Sequence, residues 1–86
     1  MNIVVSAHAR EESQRRDIPL NVVEAILENP DQVIDEYGDK KAYQSKITSG
    51  SGRIHLVRVI VKEYGDHAVV VTVYKTSRID KYWRAE

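Results

Sequence analysis

The 86-residue chain contains no cysteine, which excludes a disulfide scaffold, a thiolate metal site and cysteine catalysis together. No apolar run reaches the roughly 20 residues that a helical membrane span needs. The opening Met1-Asn2-Ile3-Val4-Val5-Ser6 has no basic flank and no long apolar stretch, so it does not read as a signal peptide. The expected compartment is the cytoplasm, with no membrane partner. Repeats, low-complexity tracts and linkers are missing as well. Ser49-Gly50-Ser51-Gly52 is the loosest stretch, but it lacks the lysine and following helix of a phosphate-binding loop. His8, His55 and His67 show no metal-ligand spacing, so neither a metal nor a cofactor is expected.

Charge of one sign is also lacking: 13 basic and 13 acidic residues give a net charge of zero, so no whole-protein field attracts nucleic acid. Its distribution is uneven. Glu24, Glu28, Asp31, Asp35, Glu36 and Asp39 follow one another with no basic residue between them. Arg10, Arg15 and Arg16 cluster early, and Lys75, Arg78, Lys81 and Arg84 cluster late. A fold that joins the two ends makes one basic face opposite an acidic edge. Such an edge suits a basic partner or simple solubility.

What is present is a chain 42% hydrophobic and 30% charged, enough for one compact core across residues 1–86 and not for two. Ile3 to Val5 is a short apolar run suited to an edge strand. Ser6 is placed to cap a helix over Ala7 to Arg16, whose one face (Ala9, Ser13, Arg16) is weakly apolar. Ile18-Pro19 breaks the chain. A second helix follows, with Leu20, Val23, Ala25, Ile26 and Leu27 on its apolar side, and it ends at Asn29-Pro30. Gln32 to Tyr37 reads as a strand and Ala42 to Thr48 as its hairpin partner. Ile54 to Glu63 and His67 to Thr76 are dense in β-branched residues, and Tyr64-Gly65-Asp66 turns the chain between them. Pairing Glu63 with His67 sets Val61, Val59 and Val57 opposite Val69, Val71 and Val73 as one apolar face. The same register puts Arg58 opposite Thr72 and Leu56 opposite Tyr74 on the other. The expected architecture is α+β: two N-terminal helices packed on a four-stranded antiparallel sheet, with a short C-terminal segment.

An arginine in mid-strand is costly on a dry face and well placed where an anion meets it, because guanidinium offers a planar fork of donors to phosphate. Thr72 and Tyr74 add hydroxyls beside Arg58, and the flexible stem of Lys75 can reach round the sheet edge. Metal-free cleavage of RNA needs a base for the 2′-hydroxyl, an acid for the departing 5′-oxygen and cations for the charged phosphorane. His8, Tyr74 and Arg58 are the residue types for those roles, and Arg16 adds a second phosphate contact. Plainer roles are equally open: His8 as a packing residue at a helix start, Tyr74 as an amphipathic sheet residue, Arg58 as partner to an acidic neighbour. In the tail, Tyr82 and Trp83 lie between Lys81 and Arg84. They suit either base stacking or a turn that closes the core, and burial is favoured for Trp83.

Five pieces taken in order resemble the bacterial domain-of-unknown-function family 4258: Ser6-Ala7-His8-Ala9, Arg16-Asp17-Ile18, Val23 with Asn29-Pro30, Leu56-Val57-Arg58-Val59, and Val70-Val71-Thr72-Val73-Tyr74. The resemblance implies the fold shared by barnase, EndoU and RelE. With it comes a metal-independent ribonuclease of the toxin type, with RNA as substrate and an antitoxin protein as partner. The family's histidine and strand arginine fall on His8 and Arg58. Its helix-end arginine falls on Arg16, but Asp17 replaces the glycine that follows, and an earlier helix arginine falls on Glu12. The alternative is a non-catalytic module that uses the same sheet face to hold a protein or a nucleic acid.

Overall fold

A computed structural model describes residues 2–85. In chain order the elements are β1 (Asn2–Val5), α1 (Ala7–Arg15), α2 (Leu20–Glu28), β2 (Gln32–Glu36), β3 (Lys40–Thr48), β4 (Ile54–Glu63), β5 (His67–Thr76) and α3 (Ile79–Tyr82). The strands form one five-stranded sheet in the order β1-β5-β4-β3-β2. This corrects the expected two helices on a four-stranded antiparallel sheet: the sheet is mixed, and the described residues form three helices. The four-strand meander is present, but its β5 edge is filled by β1, which runs parallel to β5 from Asn2 opposite His67 to Val5 opposite Val70. Hairpins announce themselves by a local turn, whereas a parallel pairing of the first and last strands carries no turn signal.

Local chemistry sets the helix ends. The Ser6 hydroxyl accepts from the Ala9 N–H at 3.1 Å and caps α1. That helix buries only Ala9 and Ser13, and the Ser13 hydroxyl donates to the carbonyl of Ile18, tying the interhelix turn to the helix that precedes it. Asp17 sits at φ 56°, in the left-handed region just past the helix end. A glycine is at ease there, because a Cβ crowds the backbone. α2 starts behind Pro19, turns Val23 and Ile26 inward, and ends where the Asn29 N–H donates to Ala25 at 3.0 Å.

The β4–β5 register also differs from expectation. Arg58 faces Tyr74, Val59 faces Val73 and Ile60 faces Thr72, and then Val61 faces Val70. Val71 is the extra residue of a β-bulge, and it reverses which side the start of β5 presents. Val57, Val59, Val61 and Val73 take their expected inward places, but Ala68 and Val70 replace Val69 and Val71 as their partners. Ala9, Ile18, Val23 and Ile26 close that core from the helix side.

Candidate functional site

The outer face carries a row of polar side chains across four strands. Backbone register sets Gln32 opposite Gln44, Gln44 opposite Arg58 and Arg58 opposite Tyr74. Directly opposed residues share a face with their Cβ atoms about 5 Å apart, so each can touch the next. They do. The Gln44 amide donates to Gln32 Oε1 at 2.9 Å, Arg58 Nε donates to Gln44 Oε1 at 2.7 Å, and Arg58 Nη1 donates to the Tyr74 hydroxyl at 2.5 Å. Apolar residues flank the row: Ile34, Ala42 and Ile60 on one side, Leu56 on the other.

Arg58 is 2% exposed and Gln44 is fully buried. A buried charge needs a partner of opposite sign and a bond for each donor face. Glu36, at the end of β2, meets Arg58 Nη2 at 2.7 Å. With Gln44 and Tyr74 it occupies all three nitrogens of the guanidinium. The Tyr82 ring lies over the same group, 4.4 Å from its carbon to the ring centroid. Burial pushes the Tyr74 hydroxyl above the ordinary tyrosine value, against the pull of its bond from Arg58.

The C-terminal segment lies across this row and is recognised largely through its backbone. The Gln32 amide donates to the Arg84 carbonyl at 2.7 Å, and its Oε1 accepts from the Arg84 N–H at 3.2 Å. A single side chain thus makes both hydrogen bonds that a neighbouring strand would make. Gln44 also donates to the Tyr82 carbonyl at 3.3 Å. The two rings complete the contact: Tyr82 is edge-on to Tyr74 at 6.2 Å, and the Lys46 ammonium stands 4.0 Å over Trp83. None of the residues of α3 is fully buried, so the segment is laid on the face and is not built into the core.

The structure brings Arg58, Thr72 and Tyr74 to this outer face, with Thr72 opposite Ile60. It does not bring the other candidates there. His8 is exposed on α1, whose buried Ala9 belongs to the helix-side core, so it lies across the sheet from Arg58. Arg16 closes the same helix and meets Glu12 at 3.1 Å. Lys75 is opposite Val57, on the helix-side parity, and is exposed. Base, acid and cation for strand cleavage therefore share no cleft. Glu12, where the resemblance expects an arginine, binds Arg15 at 2.8 and 2.9 Å and Arg16 as well. The hydrogen bond from Arg15 leads in holding its carboxyl down at about 2.

Sequence reasoning missed Gln32, Gln44 and the role of Glu36; it singled out Tyr82, but not its place over Arg58. The available signal was the parity of Gln32 with Ile34 and of Gln44 with Ala42. That parity marks two uncharged amides on a face the pattern otherwise makes apolar. Among the described residues, no group of three or more histidine, aspartate or glutamate side chains is placed to hold a metal, and no helix is long and apolar enough to cross a membrane.

A family model described as Domain of unknown function (DUF4258) matches residues 5–75, and the chain belongs to that family. No curated protein and no solved structure matches the chain, so the likeness to the barnase, EndoU and RelE ribonucleases has no support from those comparisons. The match takes in Gln32, Glu36, Gln44, Lys46, Arg58 and Tyr74 and stops before the segment that covers them.

Proposed function

We propose that the domain is a non-catalytic, peptide-binding module whose outer sheet face holds a short aromatic segment of a protein. In this chain the place is taken by Tyr82-Trp83-Arg84. The observation that carries the reading is the pair of hydrogen bonds between the Gln32 amide and the backbone of Arg84. A face that reads N–H and C=O accepts many side chains, while Arg58 and Lys46 add a preference for aromatic rings. Arg58, with its three nitrogens engaged, acts as a rigid floor for a ring and not as a free anion site.

Trp83 is the only tryptophan in the chain, which makes the test clean. A full-length Tyr82→Ser, Trp83→Ser variant removes the two anchoring rings and leaves the protein dark in tryptophan emission. A synthetic peptide copying Ser77–Ala85 then carries the only tryptophan in the mixture. The expected result is a saturable blue shift of the peptide's emission. Binding to the wild-type chain should be weaker, because the tethered segment competes at an effective concentration near millimolar. A variant with native circular dichroism that leaves the emission unchanged overturns the reading. The single Trp83→Ser variant serves the same purpose if the double one fails to fold. Cleavage of RNA by the purified wild-type chain in chelator also overturns it.

A further inference from the structure

The sheet has two open edges, and the sequence treats them differently. On the β2 side, Asp31 and Asp35 are exposed, and Glu36 and Asp39 follow at the end of the strand. Rows of carboxylate repel a second acidic strand and protect an edge from unwanted pairing. β1, Asn2–Val5, has no charge and no proline. Ile3 is 42% and Val4 53% exposed.

Beside β1 an open groove of about 530 Å³ runs between the strand and the helices, with Leu20 and Leu27 on its far wall. Its charged lining is Arg10 from α1 and Glu24 and Glu28 from α2. Ion pairs among the described residues involve Glu12, Arg15, Arg16, Glu36, Lys41, Arg58 and Glu63, so among those residues none of the three groove charges has an ion-pair partner. One patch thus presents an edge strand, exposed aliphatic side chains, a cation and two carboxylates.

We infer that β1 is a self-association edge, on which a second copy of this chain docks with its own β1 antiparallel about a two-fold axis. A two-fold contact sets a patch against itself, so the patch must be self-complementary. This one is. An antiparallel strand edge pairs with its own copy, Ile3 and Val4 are covered by β1 of the second copy, and a lining that holds both signs can set Arg10 of one copy against the carboxylates of the other. A basic partner would find two carboxylates but also Arg10, and an acidic one the reverse. The union joins two five-stranded sheets into one continuous sheet. It lies on the far edge from β2 and leaves the Gln32–Tyr74 row untouched.

Sedimentation of the full chain from low micromolar to millimolar concentration tests this. The expected result is a monomer–dimer equilibrium that Val4→Lys weakens by about tenfold or more, since the lysine puts a charge on an exposed edge position without entering the core. Arg10→Glu should weaken it too, and Glu24→Arg with Glu28→Arg added to that variant should restore it. Circular dichroism checks that each variant keeps its fold. A wild-type chain that stays monomeric throughout overturns the inference, as does a dimer indifferent to Val4→Lys in a folded variant.

Discussion

Asp17 shows how one residue departs from what its backbone asks for. At φ 56° it holds a conformation that costs most L-residues about 1–2 kcal/mol, and aspartate somewhat less. Asp17→Gly should therefore stabilise the domain by about 0.5 kcal/mol, the relief of strain outweighing the greater freedom of glycine in the unfolded chain. Equilibrium urea unfolding measures it, and a lower midpoint contradicts the account. Arg58 is the opposite case, a residue over-determined by its surroundings. Replacing it with alanine leaves Gln44 and Glu36 facing a gap, which should cost about 3–5 kcal/mol, the loss expected when one partner of a buried pair is removed. The same unfolding experiment reads it, and a loss under about 1 kcal/mol means the cluster is surface decoration.

At the scale of elements, α1 is held by polar contacts more than by apolar burial, as its weak face foretells. Near its end, Glu12 is bound by two arginines and keeps a carboxyl pKa of about 2 against 4.5 for a free one. A folded-state value below the unfolded one gives stability that is complete above pH 4.5 and fades as pH falls toward 2. An NMR titration should place the Glu12 midpoint near 2, and Glu12→Gln should remove that acid-sensitive step; a midpoint near 4.5 contradicts the pairing. α1, α2 and the four later strands were legible because each is written locally: Ser6 as a cap, Pro19 and Asn29-Pro30 as breaks, β-branched runs for β4 and β5. The parallel place of β1 was not, because it depends on an edge created by residues some sixty positions away. The bulge at Val71 was hidden in the same way. A run of valines offers no side-chain contrast to mark where the alternation slips.

For the whole molecule, one sheet separates two unlike layers: an aliphatic core under α1 and α2, and a polar row under the C-terminal segment. That division explains how much of the site could be read in advance. Arg58 and Tyr74 stood out as chemical types, and their shared face followed from parity. Their direct opposition did not, because the assumed register was displaced by two residues, which set Thr72 where Tyr74 stands. Without the true register, Gln32 and Gln44 look like ordinary strand residues. His8 was singled out by type and by the family resemblance, and only the packing of Ala9 against the core reveals that it faces away from Arg58.

The central claim is that the row from Gln32 to Tyr74 receives a peptide through that peptide's backbone. The most direct measurement is NMR mapping of the full-length Tyr82→Ser, Trp83→Ser chain as the Ser77–Ala85 peptide is added. The account predicts that the side-chain amide signals of Gln32 and Gln44 and the side-chain signals of Arg58 and Tyr74 move together and saturate. Shifts confined to β1 and the helices, or no shifts in a folded chain, would contradict it.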